Sequence, residues 1–205
     1  MSRIEWEYDL VERPFCQHLQ IMGWTWIEGS LDDPQATERT SFREIILHNR
    51  LAAALGSINL RSGKPWLDES RITKAIRDLS PGPGQGLLEI NQAVTQFLLK
   101  GTVVDGLSDW DQGRPQVVKY IDFDHLENND FLVINQFKVE LSSGQGHVVP
   151  DAVLFVNGLP LVVAEFKSPG IEEPIRQAIN QLLRYSNQRR ELFPALYTEN
   201  EGVEE

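Results

Sequence analysis

The sequence predicts an α/β fold in which helices pack on both faces of a central sheet. The first hundred residues repeat apolar side chains at the 3.6-residue period of amphipathic helices. From about residue 115 the apolar residues alternate or form short continuous runs, as strands do. The run Leu161-Val162-Val163 is apolar on both faces of a strand, which is typical of a strand in the middle of a covered sheet.

Four helices are predicted in the first half of the chain. The second has the spacing of a capping box, because Glu44 follows Ser41 by three residues. Residues 80–86 are rich in Pro and Gly and predict a loop between the third and fourth helices. In chain order the helices are Leu10–Met22 (ended by Gly23), a helix opening at Ser41, a helix from about Asp68, and Leu87–Lys100 (ended by Gly101).

The second half predicts strands followed by one helix. Asn157-Gly158 between two apolar runs is a strong hairpin signal. Pro174 is tolerated in a first helical turn, so a helix is expected from there to about Asn187. The predicted strands are Val117–Phe123, Asp130–Leu141, Val148–Val156 and Leu161–Lys167.

The chain reads as a single domain over residues 1–205. Its helical half covers about 1–101 and its sheet-rich core about 115–190. The polar end from Glu199 to Glu205 has no closing element, so a longer chain is expected to continue beyond it.

Composition narrows the classes of protein. No apolar run approaches the roughly 18 residues of a membrane-spanning helix, no secretion signal is visible, and a single cysteine fits a reducing compartment. A cytoplasmic protein without membrane contacts is therefore expected. No phosphate-loop motif for ATP is found, and the histidines lack zinc-site spacing.

One pattern carries chemistry, a P-D-x13-E-x-K arrangement of Asp151, Glu165 and Lys167. Residues two apart in a strand share a face, and the hairpin brings Asp151 towards Glu165. Carboxylates suit Mg²⁺, and an ammonium suits a phosphate. Simpler interpretations stay open, because Asp151 alone could be an exposed acid at a strand start and Lys167 could be a salt-bridge partner only.

The residues also suggest roles. Asp151, Glu165 and the backbone carbonyl of Phe166 could hold one or two Mg²⁺ ions, with Lys167 beside the attacking water. Gln181 and Tyr185 are four apart on the last predicted helix and could present an amide and a phenol to a phosphate. Spacing alone favours an ordinary helix surface for these two.

These residues reproduce the PD-(D/E)xK nuclease pattern together with the Q-x3-Y motif of its RecB-like branch. More specifically, the chain resembles the N-terminal domain of the restriction (motor) subunit of type I restriction enzymes. The resemblance covers nearly the whole chain. The matching stretches include residues 121–123, 129–136 and, most specifically, 150–169.

The resemblance implies a three-layer α/β/α restriction-endonuclease-like fold with a central mixed β-sheet. It implies Mg²⁺-dependent cleavage of double-stranded DNA, with Mn²⁺ as a substitute metal. The implied catalytic residues are Asp151, Glu165 and Lys167. Supporting roles near the DNA phosphate fall to Gln181 and Tyr185, and Glu12 would be an additional acid, as in many members of the wider superfamily.

The resemblance also implies partners. ATP would be used only by a motor domain C-terminal to this one, and the complex would contain methylation and specificity subunits. Partner domains would also supply most of the DNA affinity, which answers the objection that a net charge of −11 is unusual for a DNA-binding chain. Two alternatives remain open: a non-cutting DNA-binding or subunit-docking module, and a stand-alone RecB-like repair nuclease.

Overall fold

The computed structural model describes residues 7–80, 87–110, 112–141, 146–168 and 170–185. A π-helical turn (Tyr8–Glu12) runs directly into the first α-helix. The α-helices are α1 (Arg13–Ile21), α2 (His48–Ile58), α3 (Glu69–Asp78), α4 (Leu87–Lys100) and α5 (Pro174–Tyr185), with short 3₁₀ turns at Pro34–Thr37 and Leu126–Asn128. In the part of the chain so described, no helix is long and apolar enough to cross a membrane.

The strands form one four-stranded sheet and three small two-stranded ladders. In the main sheet the order is β1-β6-β9-β10; β1 runs parallel to β6 and the other pairs are antiparallel. The strands are β1 (Thr25–Glu28), β2 (Leu60–Arg61), β3 (Lys64–Pro65), β4 (Thr102–Val104), β5 (Gln116–Val118), β6 (Phe131–Asn135), β7 (Val139–Glu140), β8 (His147–Val148), β9 (Ala152–Val156) and β10 (Leu159–Ala164). The α/β prediction with a mixed sheet is confirmed, while the three-layer arrangement stays a prediction.

The helix α1 packs on the end of the sheet where β9 begins. Its buried side chains Cys16 and Leu19 contact the cluster that contains Val133 of β6 and Ala152 of β9. Burying a large apolar side chain contributes roughly 1.5–3 kcal/mol. The chain around Asp151 is therefore fixed from one side by a packed helix.

Most helix predictions are confirmed. The helices predicted near Leu10, Asp68 and Leu87 are present, and the side chain of Asp68 caps α3 by accepting a hydrogen bond from the backbone N–H of Arg71. The loop predicted over residues 80–86 lies almost entirely outside the described residues. The last helix is described as far as Tyr185, so its predicted end at Asn187 is not covered.

The second predicted helix is present as α2, but its predicted start at Ser41 is wrong, because α2 begins only at His48. The backbone groups between these residues bond to the sheet instead. The carbonyl of Phe42 accepts from the N–H of Glu140, and the N–H of Leu47 donates to the carbonyl of Gly158 at 2.9 Å. These contacts to distant segments replace the local helix that the capping box predicts.

The strand predictions locate the sheet but not its edges. Strands β1 and β4 are not predicted, because they are only four and three residues long. The partner of β1, the strand β6, also lies more than 100 positions away along the chain. The strand predicted from Val117 to Phe123 is only three residues long. The strand predicted from Asp130 to Leu141 is broken at Gln136, whose backbone is left-handed with φ +50°.

The expectation that the strand with Leu161 to Val163 lies in the middle of the sheet is not met among the described strands, where its neighbour β9 takes the inner place. Strand β9 pairs with β6 on one side and β10 on the other. Among the described strands β10 is the edge, and the middle of the strand, Leu161 to Val163, is partly exposed.

The turn of the β9–β10 hairpin is built by Asn157 and Gly158, which both have positive φ, 55° and 79°. This is the two-residue turn that matches the twist of paired strands. A Cβ on Gly158 would lie 2.6 Å from the carbonyl oxygen of Leu47 and 2.9 Å from the backbone nitrogen of Leu51. Only glycine fits there, because the turn packs directly against the start of α2.

We predict that Gly158→Ala destabilises the protein by about 2–4 kcal/mol, since it adds a steric clash to an unfavourable backbone conformation. Gly56→Ala is the matched control, because Gly56 lies within α2 with open space around it. That control should stabilise by roughly 0.5–1 kcal/mol. Urea unfolding of both variants measures the difference, and equal midpoints would contradict the packing of the turn on α2.

Burial also determines the reactivity of the thiol of Cys16, which is fully buried beneath the sheet. Burial, with a smaller contribution from the carboxylates of Glu12 and Glu28, raises the pKa of this thiol to about 12. We predict that iodoacetamide at pH 8 leaves Cys16 unmodified in the folded chain and alkylates it in guanidinium. Mass spectrometry gives the answer, and rapid modification of the native chain would show that α1 does not pack its Cys16 face against the sheet.

Candidate active site

The hairpin register places the two acids opposite each other. The last pair of the β9–β10 ladder is Ala152 with Ala164. Asp151 directly precedes this pair and Glu165 directly follows it. Residues directly opposite in an antiparallel pair have their side chains on the same face, so the two carboxylates are brought to one face.

A bulge in β10 makes this register possible. Pro160 pairs with Phe155, whereas Val162 pairs with Leu154, so one extra residue is accommodated between them. If the ladder continued from the turn without this bulge, Glu165 would lie opposite Pro150 rather than Asp151. A one-residue slip turns every following side chain to the other face, so the bulge decides whether the acids meet.

The ammonium of Lys167 completes the group. Its Nζ lies 3.7 Å from Oε2 of Glu165 and 4.0 Å from Oδ2 of Asp151. The side chain of Glu165 is fully buried, and those of Lys167 and Asp151 are 14% and 19% exposed. Burial of a carboxylate is costly unless a cation compensates it, so this group is an electrostatic unit rather than a surface ion pair.

The acids lie beside the strands rather than within them, which corrects the prediction that strands contain both. The side chain of Asp151 takes part in closing the hairpin, because its Oδ2 accepts the backbone N–H of Phe166 at 2.7 Å. A side-chain hydrogen bond thus replaces the strand ladder after Ala164. Lys167 faces Glu165, as the period-2 argument predicts, although β10 has already ended.

A third carboxylate, Glu12, lies in the same region at the end of the π-helical turn and is buried. Its Oε1 accepts a hydrogen bond from Nδ2 of Asn135 at 2.9 Å, and Nε2 of Gln136 donates to both of its oxygens at 3.1 and 2.9 Å. Burial raises the pKa of Glu12, and the charge of Asp151 raises it further, while the two amides lower it. The structure therefore places Glu12 near Asp151, while the catalytic role of Glu12 stays a prediction.

The segment that leads into α1 also holds the chain beyond Lys167. The carboxylate of Glu7 accepts the backbone N–H of Ser168 at 2.7 Å. The hydroxyl of Tyr8 donates to the carboxylate of Glu28 at the end of β1. π-Helical turns inside helices are frequent at functional sites, and here the turn brings Glu7 and Glu12 to the same group of side chains.

The remaining predicted residues lie on α5, where Gln181 is within the helix and Tyr185 is its last residue. The side chain of Tyr185 lies outside what the structure describes. The roles predicted for Gln181 and Tyr185 therefore stay predictions.

The oxygen atoms at this site are of the kind that bind a hard cation. Asp151 and Glu165 supply carboxylate oxygens beside the Phe166 peptide, whose carbonyl is the third predicted ligand, and such oxygen donors are the ones that Mg²⁺ prefers. Within the described ranges no three His, Cys, Asp or Glu side chains are grouped so as to hold a metal ion. Two carboxylates and one peptide oxygen are thus the set that this site offers.

Two functional contacts were not predicted from the sequence, those of Asn135 and Gln136 with Glu12. Both residues belong to the stretch 129–136, which carries part of the resemblance. Their partner is more than 120 positions away in the chain. The only sequence signal for these contacts was a pair of amide side chains directly after the apolar run 131–134. Nothing in the neighbouring sequence indicates that they bind Glu12.

Known proteins resemble this chain over most of its length. It is 32% identical over 172 residues to a putative type I restriction enzyme MjaIXP endonuclease subunit of Methanocaldococcus jannaschii, which is 83% of this chain and 16% of that protein. It is 31% identical over 188 residues to the type I restriction enzyme HindI endonuclease subunit of Haemophilus influenzae, which is 89% of this chain and 17% of that subunit.

The chain thus spans about one-sixth of the length of these relatives. The family described as type I restriction enzyme R protein N terminus matches residues 5–198, almost the whole sequence. The chain therefore belongs to the family of type I restriction enzyme R protein N-terminal domains.

Proposed function

We propose that this chain is the nuclease domain of a type I restriction complex and that it cleaves double-stranded DNA with the help of Mg²⁺. The observation that carries the proposal is the meeting of Asp151, Glu165 and Lys167 at the end of one hairpin. Family membership and the names of the relatives support the same activity. These relatives are endonuclease subunits about five times as long as this chain, which favours a restriction complex over a stand-alone repair nuclease.

The charges support a divalent cation. Two carboxylates, those of Asp151 and Glu165, lie beside the single ammonium of Lys167 in a region largely removed from water. A third buried acid, Glu12, is near enough for the charge of Asp151 to raise its pKa. Asp151, Glu165 and the carbonyl of Phe166 would hold the ion. When bound, Mg²⁺ supplies Lewis acidity, which lowers the pKa of a nearby water and offsets charge developing on the phosphate.

The protein groups divide the remaining work. Asp151 fixes the chain that follows Glu165, because its Oδ2 holds the backbone N–H of Phe166. Lys167 is held between the two carboxylates and would orient a water or a phosphate oxygen as a compact positive charge. The backbone N–H of the next residue, Ser168, donates to the carboxylate of Glu7. The backbone beside Lys167 is therefore fixed as well as its ammonium.

The acidic net charge fits a domain to which DNA is delivered. Backbone binding of DNA normally needs a basic surface. A chain with a net charge of −11 is poorly suited to hold DNA alone. We propose that a C-terminal ATP-driven motor and the methylation and specificity subunits supply that affinity.

We predict that Lys167→Ala lowers DNA cleavage by roughly 10²–10⁴-fold, since the positioned ammonium is lost at the reacting centre. The measurement is ATP-dependent cleavage of unmodified DNA by a complete complex containing this sequence, with ATP hydrolysis recorded in parallel. ATP hydrolysis should stay unchanged, because the substitution lies outside any motor.

Lys119→Ala is the control for this substitution, because Lys119 forms an exposed ion pair with Asp124. Exposed pairs contribute little to stability, so this variant should cut normally. Asp151→Asn, which keeps the side-chain shape, should lose cleavage like Lys167→Ala. Undiminished cutting by both site variants would leave a docking role instead.

A second prediction concerns the metal itself. Mg²⁺ should raise the melting temperature of the 205-residue chain, because it binds the folded site and relieves repulsion among its acids. A concentration one hundred times the dissociation constant would stabilise by about 2.7 kcal/mol.

The shift should disappear in Asp151→Asn and persist in Asp124→Asn, whose side chain is exposed and pairs with Lys119. Thermal unfolding with Mg²⁺ and with Mn²⁺ measures it. An equal shift in both variants would mean that the ion binds elsewhere.

A further inference from the structure

A row of residues crosses the main sheet at the candidate site. Asn135 pairs with Ala152, so the next residue, Gln136, lies opposite Asp151. The backbone N–H of Gln136 donates to the carbonyl of Asp151 at 3.0 Å. Asp151 in turn lies opposite Glu165, so Gln136, Asp151 and Glu165 occupy neighbouring positions on three adjacent segments.

The side chain of Gln136 reaches the third acid. Its Nε2 lies 3.1 and 2.9 Å from the two oxygens of Glu12. One residue therefore binds the backbone of Asp151 and the carboxylate of Glu12. Asn135 supports this arrangement, because its Oδ1 accepts from Nε1 of Trp26 while its Nδ2 donates to Glu12.

The backbone of Gln136 is unusual for a residue with a long side chain. Its φ of +50° lies in the left-handed region, where glycine and asparagine are favoured. Its carbonyl also lies against Gly29, where an added Cβ would be 2.4 Å away. A sterically disfavoured backbone at such a position indicates that the side chain has a task that glycine could not perform.

We infer that Gln136 is a positioning residue that sets the carboxylate of Glu12 in place relative to Asp151. This inference rests on the proposed nuclease function. It assigns to the amide no contact with DNA, because the amide acts through Glu12. Removing the amide should therefore slow the chemical step without weakening DNA binding.

The test is a double-mutant cycle with Gln136→Gly, Glu12→Gln and the double variant in a complete restriction complex. Gln136→Gly suits the left-handed backbone and removes only the side chain. The matched control is Gln112→Gly, because Gln112 is an exposed glutamine with nearly the same φ of +58°. Single-turnover cleavage at saturating DNA and Mg²⁺, the KM for DNA and the melting temperature are measured for each.

We expect Gln136→Gly and Glu12→Gln each to slow cleavage by roughly ten- to one hundred-fold, since displacing a group by about 1 Å can cost 10²-fold. The double variant should be no slower than Glu12→Gln, because Gln136 acts through that acid. The KM for DNA should not change, and Gln112→Gly should cut normally. If Gln136→Gly does not fold, Gln136→Asn replaces it, because asparagine accepts this backbone and its amide is one methylene shorter.

Normal cutting by Gln136→Gly or by Glu12→Gln would overturn the inference, as would a double variant that multiplies the two single effects. Lys167→Ala separates this failure from that of the proposed function. If Lys167→Ala is inactive while Gln136→Gly is fully active, only the role of Gln136 falls. If Lys167→Ala also cuts normally, the nuclease proposal itself falls.

Discussion

The register of the β9–β10 hairpin is the constraint on which the candidate site depends. The two-residue turn fixes the start of the pairing, and the bulge between Pro160 and Val162 shifts it by one residue. The shift leaves Asp151 opposite Glu165 at the far end of the ladder. A strand has a side-chain period of two, so a ladder that continued from the turn without this shift would place the acids on different faces.

The Asn157-Gly158 turn is itself fixed by side chains that lie outside the candidate active site. Asn157 is buried, its Oδ1 accepts the backbone N–H of Asp130, and its Nδ2 donates to the carbonyl of Tyr120 and to Oδ1 of Asn129. Asn129 also binds the backbone of Asp122 on both sides. Asp122, Asn129 and Asp130, which belong to stretches that carry part of the family resemblance, therefore hold the hairpin in place. They affect the candidate site only through the register of the β9–β10 hairpin.

Features that depend on neighbouring residues could be predicted from the sequence, whereas features that depend on contacts between distant residues could not. The hairpin, its Asn-Gly turn and the shared face of Glu165 and Lys167 follow from neighbouring residues and a period of two. The position of Asp151 opposite Glu165 also depends on the bulge in β10, which was not predicted from the sequence. The environment of Glu12 could not be predicted, because its amide partners are more than 120 positions away. The helix start expected at Ser41 failed for the same reason, since contacts to the sheet replace its local hydrogen bonds.

Burying the acids of the candidate site costs folding free energy. Glu12 and Glu165 are buried acids, and the single ammonium of Lys167 cannot balance them together with Asp151. Burial raises the pKa of Glu12, and the charge of Asp151 adds to that rise. The fold tolerates this repulsion because each acid has its own partner: Glu12 binds the amides of Asn135 and Gln136 at the end of β6, Asp151 binds the N–H of Phe166, and Glu165 lies beside Lys167. A bound ligand that adds positive charge would reduce the repulsion between these acids, as the proposed Mg²⁺ ion would do.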